Sequence, residues 1–114
     1  MAVLTPSAVS RAGVATALVA CAGGGDTFLN TGKEFIEIAN GDSTPTTVTI
    51  AWGVGGTIDG ITPTARTVSV TNATSKRIGP FPPSLYNDAN GYVSVTYSKV
   101  TSLTAQVVQL SQAV

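Results

Sequence analysis

Short runs in which apolar and polar residues alternate constrain this chain more than any other feature of its sequence. In the segment 46–52, Val48, Ile50 and Trp52 alternate with threonine and alanine. Alternation with a period of two places successive side chains on opposite faces of a β-strand. No segment has a convincing apolar stripe with the 3.6-residue period of an amphipathic helix. The sequence therefore predicts an all-β protein.

Similar runs recur along the chain and are separated by glycine, proline and asparagine. The predicted strands cover residues 14–21, 33–39, 46–52, 66–70, 75–78, 92–97 and 103–110. Short strands between turn signals are typical of β-sandwiches and barrels, so we expect a single antiparallel β-sandwich or jelly-roll-like barrel of about seven or eight strands. The residues on the apolar sides that we expect to be buried are Val48, Ile50, Val68, Val70, Val93 and Val95.

The domain organisation follows from chain length and from the first residues. A chain of 114 residues fits one domain. Residues 1–11 match no clear strand, so we predict an N-terminal arm at 1–11 and a single β domain at 12–114. Terminal arms are poorly ordered unless a neighbour ties them down. The arm is therefore a candidate contact with a partner, the alternative being an edge strand of its own sheet.

Composition excludes several kinds of chemistry. The chain has no histidine, one cysteine, and equal numbers of cationic and acidic residues. It therefore has no Ser-His-Asp or Cys-His nucleophile system and too few of the usual zinc ligands. Only 11% of residues are charged, which argues against a nucleic-acid partner. No run of about 20 apolar residues predicts a membrane span. We expect a non-enzymatic protein with no cofactor, metal, nucleic acid or membrane.

Two sets of residues suggest ligands but are better explained as turns. The glycine runs 23–25 and 53–56 lack the Lys-Ser/Thr that follows a phosphate loop. Four aspartates in glycine- and asparagine-rich stretches have no EF-hand spacing, and aspartate stabilises turns without calcium. These residues are Asp26, Asp42, Asp59 and Asp88.

The segment LVAC at 18–21 matches the pattern at which bacterial lipoproteins are cleaved. Arg11 is the only cationic residue before it, and the apolar run 13–20 is short and interrupted by glycine and threonine. Secretory signals have a positively charged start and a longer apolar core. We therefore expect no lipid anchor, and predict a strand over 14–21 that ends in a glycine turn.

The proline segment, residues 80–86, is the strongest candidate for a contact surface. Each proline fixes its own backbone and lacks an N–H for a sheet ladder, so the segment cannot form a central strand. The candidate interface residues are Phe81, Pro82, Pro83 and Tyr86, together with Arg11 in the arm as a partner for a carboxylate. The alternative is that Phe81 folds back and closes one end of the core.

Two blocks of the sequence resemble small structural proteins of tailed bacteriophages that are encoded near the major capsid protein. The blocks are DTFLNTGKEF at 26–35, followed by IANG at 38–41, and IGPFPPSLYND at 78–88. The resemblance implies a head decoration, or cement, protein. Such a protein is made in the host cytoplasm and binds the outer capsid surface as a homo-oligomer, commonly a trimer, that bridges capsomers. The implied partner is the major capsid protein, and no catalytic residues are implied.

Other functions stay open. A β-sandwich of this size could be a carbohydrate-binding or adhesion module of a phage tail or fibre, with Trp52, Tyr86, Tyr92 and Tyr97 as candidate sugar platforms. It could also be a tail-tube or head–tail joining protein, which would form rings. A small enzyme is the weakest alternative.

Overall fold

The computed structural model describes residues 2–53, 59–61 and 64–110, and it is nearly all β. The glycine run at 53–56 lies mostly outside the described residues. Within these ranges the one helix is the short α1 (Pro83–Tyr86). The strands are β1 (Ala2–Val3), β2 (Ser7–Ala8), β3 (Val19–Ala20), β4 (Asp26–Leu29), β5 (Glu34–Asn40), β6 (Thr46–Ile50), β7 (Arg66–Val70), β8 (Thr74–Ile78), β9 (Tyr92–Tyr97) and β10 (Leu103–Gln109).

These strands form two sheets, as the all-β sandwich prediction requires. One sheet has the order β1-β4-β9-β6-β7, and the other has the order β2-β10-β5-β8 with β3 also paired to β10. All pairings among β4 to β10 are antiparallel, as predicted. The N-terminus is an exception to the antiparallel pattern, because β1 and β2 pair in parallel with β4 and β10.

The core lies between the two sheets, and the alternating residues face it. Val48, Ile50, Val70, Val93 and Val95 are fully buried, as predicted. Val68 is only half-buried, so the prediction fails there. The reason is its position on β7, which is an edge strand with a neighbour on one side only. An edge strand covers less of its own side chains.

Val48 and Val68 provide a matched test of this arrangement, because they lie directly opposite each other on β6 and β7. Val48→Ala is expected to lower the free energy of unfolding by about 2 kcal/mol, since it leaves a cavity in a closed environment. Val68→Ala is expected to cost about half as much, because solvent already reaches that side chain. Urea unfolding of both variants checks the order. Equal costs would contradict the edge position of β7.

The N-terminal arm is an edge element of both sheets. Ala2–Val3 pairs with β4, and Ser7–Ala8 pairs with β10. Between them the chain crosses from one sheet to the other, with Leu4 buried in the core. The structure therefore has the arrangement of the edge-strand alternative, and binding of the arm to a partner stays a prediction.

The predicted strand at 14–21 is mostly wrong. Only Val19–Ala20 forms a strand, and residues 11–20 are all exposed. The strand is short because β2 and β3 share one edge of β10, and each pairs with only two of its residues. Val14 and Leu18 therefore lie on the surface, where they contribute no core.

Candidate functional site: a groove between two edge strands

One surface cavity is a groove at the open edge of the sandwich. β7 and β8 follow each other through a tight turn at residues 71–73, yet they belong to different sheets. They do not pair, so a groove of about 610 Å³ lies between them, with Val68 and Ile78 in its lining. The proline segment and Trp52 form its far wall. We call this cavity the edge groove.

Two cationic side chains enter the edge groove from positions that would normally be apolar. Arg66 lies opposite Ile50 on β6, and Lys76 lies opposite Ile38 on β5. Directly opposite residues in a ladder share a face, so both side chains start on the inward faces of their strands. Because the sandwich is open here, both residues are exposed. The groove thus has one cation on each side.

A third cation, Arg77, also lines the edge groove from β8. Its guanidinium Nε lies 3.6 Å from a carboxylate oxygen of Glu37, and 73% of its side chain is exposed. An exposed ion pair of this kind contributes little stability, about 0–1 kcal/mol, and remains open to exchange with another carboxylate. Arg77 is therefore available to a ligand at small cost.

Apart from Glu37, which pairs with Arg77, the carboxylates considered next lie away from the groove. Asp26 and Glu34 are buried. Asp88 accepts hydrogen bonds from backbone N–H groups in its turn. The Lys99 ammonium binds Asp42 and lowers the pKa of that carboxyl. No aspartate or glutamate among the described residues lines the edge groove. The groove lining therefore contains three cations and no carboxylate among the described residues, with Glu37 paired to Arg77 beside it.

The far wall of the groove is aromatic and continuous with the core. The rings of Trp52 and Tyr86 stack with centroids 4.9 Å apart and an angle of 11° between their planes. Phe81 meets Tyr86 edge-on at 5.4 Å and contacts Phe28 at 5.9 Å. Arg66 donates a hydrogen bond from Nε to the Tyr86 hydroxyl at 3.4 Å. The wall is therefore rigid and has a cation at its rim.

The candidate interface residues predicted from the sequence differ in burial and in location. Phe81 is 2% exposed and Tyr86 is 7% exposed, so the alternative in which Phe81 closes the core is the observed one. Both line the edge groove together with the exposed Pro82. Pro83 begins α1 and packs near Gly32, outside the groove lining.

Arg11 lies apart from the other candidates. It is exposed in a turn and does not line the edge groove. It makes no ion pair with any of the described residues. A contact between Arg11 and a partner carboxylate stays a prediction.

Sequence reasoning missed Arg66 and Lys76, although a signal for both was present. Arg66 is in phase with Val68 and Val70, and Lys76 is in phase with Ile78. A cation in the apolar phase of a strand indicates an edge strand whose inner face reaches solvent. This signal, applied to each alternating run, would have identified both sides of the groove.

A second cluster of chemical groups lies inside the protein, away from the groove. The Tyr97 hydroxyl donates a hydrogen bond to Asp26 Oδ2 at 2.7 Å, and Asp26 is fully buried. Burial, together with this hydrogen bond, raises the pKa of Tyr97 well above its usual range. Burial also raises the pKa of the neighbouring Cys21 thiol to about 11. The cluster is therefore mostly buried, with Asp26 and Cys21 buried and Tyr97 half-buried.

Thiol reactivity provides a direct test of this cluster. At pH 8, a thiol with a pKa of about 11 has about 100-fold less thiolate than one with the ordinary value of 9.0. Iodoacetamide is therefore expected to label native Cys21 at least about 100-fold more slowly than the urea-unfolded chain, as followed by mass spectrometry. Equal rates in the two states would show that Cys21 is not buried.

The four aspartates considered as calcium ligands are dispersed. Among the residues that the structure describes, no group of three or more His, Cys, Asp or Glu side chains could hold a metal ion. Within the same ranges, no helix is long and apolar enough to cross a membrane. Compared with protein-family models, curated protein sequences and solved structures, the chain matches none of them.

The sequence blocks 26–35 and 78–88 contact each other and form one unit. Asn30 in the first block donates hydrogen bonds from Nδ2 to the Phe81 carbonyl oxygen at 2.9 Å and to Asn87 Oδ1 at 2.7 Å. Asn87 donates back to the Asn30 carbonyl oxygen at 2.9 Å. The Cα of Gly79 packs so closely on Phe35 that a Cβ there would lie 2.8 Å from the Phe35 Cβ. The unit closes one end of the sandwich and forms part of the groove wall.

Proposed function

We propose that this protein is a non-enzymatic structural protein of a tailed bacteriophage. It binds the outer surface of the assembled head as a homo-oligomer, most simply a trimer, and stabilises the head by bridging neighbouring copies of the major capsid protein. In this proposal the protein is made in the host cytoplasm and ends in the virion.

The observation that carries the proposal is the contact between the two resembling blocks. Residues 26–35 and 78–88 are distant in sequence, yet Asn30 and Asn87 form reciprocal hydrogen bonds between them. The resemblance therefore covers both sides of one contact in the fold. A match in a single short segment would cover only one side. The same unit forms part of the edge groove, where a partner would find both apolar surface and charge.

The physical basis of such a function is linkage. A protein that binds the assembled shell, but not its dissociated subunits, stabilises the shell by mass action. Many copies on one particle multiply the effect, because each bridge holds neighbours at high effective concentration. The fold suits this role, since a rigid sandwich loses little conformational entropy on docking.

The test uses heads of the phage that encodes this chain, assembled without it. Purified protein is mixed with these heads, and bound copies per particle are counted by quantitative gel and located by electron cryomicroscopy. We expect saturable binding to the outer surface and a higher temperature of head disruption. Absence of binding, or location of the protein in the tail of complete virions, would overturn the proposal.

One observation favours a second candidate, a carbohydrate-binding adhesion module. Trp52 lines the groove and is half-buried, as a sugar platform would be. Its ring is stacked on Tyr86, which occupies one of its two faces. Binding on a glycan array, with a change in Trp52 fluorescence, would favour this candidate. Rings in place of trimers on native mass spectrometry would favour the tail-tube or head–tail alternative.

A further inference from the structure

We propose that the edge groove binds an extended acidic peptide segment, which adds as a strand to the free edge of β8 with neighbouring carboxylates on Lys76 and Arg77. The source of the segment, the major capsid protein, rests on the function proposed above. The groove chemistry itself rests on the geometry of β7 and β8.

The backbone of β8 supplies the first part of the argument. β8 pairs with β5 on one side and has no strand on its other side among the described residues. The backbone N–H and C=O groups on that side are available to an added strand. Four of its five residues are exposed, so no side chain packing has to be displaced.

The charges on β8 supply the second part. Lys76 and Arg77 are consecutive, so their side chains start on opposite faces of the strand. Consecutive residues of an added strand also alternate between the two faces. An Asp or Glu pair in that strand would therefore reach Lys76 with one carboxylate and Arg77 with the other. Arg66 lies across the groove on β7 and is a further cation. Its side chain starts on the inward face of its strand, as that of Lys76 does.

The apolar lining makes a peptide a better occupant than a free polyanion. Val68, Ile78 and Leu85 line the same cavity as the cations. A peptide can place an apolar side chain against these residues, and a sulfated sugar or a phosphate chain cannot. Edge strands also use inward-pointing charges to prevent aggregation. The test must therefore separate binding from this protective role.

The matched variants are Lys76→Glu and Lys33→Glu. Each reverses one exposed cation, and Lys33 does not line the edge groove. Lys76→Glu keeps a charge on the edge, so the protective role is preserved, and analytical ultracentrifugation with thermal unfolding verifies that both variants stay folded and unaggregated. The probe is a fluorescein-labelled eight-residue peptide with two Asp-Glu pairs among valine and threonine. Its control has Asn-Gln pairs in the same places.

We expect Lys76→Glu to weaken binding of the acidic peptide about tenfold, because one attraction becomes a repulsion, and Lys33→Glu to change it less than twofold. The same ratio is expected for binding to undecorated heads. Three results would overturn the inference: equal binding of the two peptides, equal binding by the two variants, or binding of a sulfated hexasaccharide without binding of the acidic peptide. If the peptide binds with this pattern and heads do not bind at all, the proposed function fails and the groove chemistry stands.

Discussion

Phe81→Ala is expected to lower the free energy of unfolding by about 3–5 kcal/mol, the range for loss of a fully buried phenylalanine. Phe81 is 2% exposed, and its ring contacts both Phe28 and Tyr86. Removing it leaves a cavity where the proline segment meets the core, and also removes aromatic contacts that contribute beyond buried area. Against a typical total of about 5–15 kcal/mol, this is a large fraction. Urea unfolding followed by circular dichroism measures it.

The control is Pro82→Ala, at the adjacent exposed position. It leaves the aromatic contacts intact and is expected to change stability by less than about 1 kcal/mol. A loss below about 1 kcal/mol for Phe81→Ala would show that the segment does not close the core. For the same reason, substitution of Phe81 reports on folding, and attachment to a partner is better tested at Pro82 or Lys76.

The sequence predicted the strands in which burial of one face alone causes apolar and polar residues to alternate. In β6, β7 and β9 every second residue faces the core, so the period of two is visible, and two of the three strands have their predicted bounds. In β5 the alternation is weaker, because Phe35 and Ala39 on its outer face are apolar and half-buried. β10 resembles β5, with Leu103 and Ala105 buried on its inner face and half-buried residues on its outer face.

The remaining strands depend on contacts that no local pattern contains. β4 begins with Asp26, a residue that disfavours strands, and its carboxylate oxygen Oδ2 accepts hydrogen bonds from the Tyr97 hydroxyl and the Ala22 N–H. β1 and β2 have two residues each and exist only because β4 and β10 have free edges. Parallel pairing of this kind joins residues far apart in sequence.

The candidate site was partly predicted, for a related reason. Prolines restrict residues 80–86 locally, so the segment was identifiable from its own sequence. Its burial against Phe28 was left as an alternative, since it depends on how the end of the sandwich closes. Arg66 and Lys76 meet across a groove only because β7 and β8 belong to different sheets. The groove between them follows from topology, whereas the position of each cation in the apolar phase of its strand is visible in the sequence.

Gly53→Ala is expected to be the most damaging single-methyl change in the described structure, with a loss of several kcal/mol, at or above the upper end of the usual ~0.5–3 kcal/mol for point substitutions. A Cβ at this position would lie 2.0 Å from the Asn87 carbonyl oxygen and 2.6 Å from the carbonyl carbon of Tyr86. Both are backbone atoms, so no side chain rotation relieves the overlap. The Gly53 N–H also donates to the Leu85 carbonyl oxygen at 2.8 Å, and this bond would have to break.

Gly23→Ala is the matched control, because a Cβ there would meet nothing within 4 Å. It is expected to be neutral or to stabilise by up to about 1 kcal/mol through the lower entropy of the unfolded chain. The single tryptophan gives a second measurement. Gly53 follows Trp52 directly, so displacement of Gly53 from α1 separates the Trp52 and Tyr86 rings and shifts Trp52 emission to longer wavelength. If Gly53→Ala unfolds at the same urea concentration as Gly23→Ala, with unchanged emission, the segment that follows β6 does not pack on α1 at Gly53. The aromatic wall of the edge groove would then lack the rigid support that peptide binding requires.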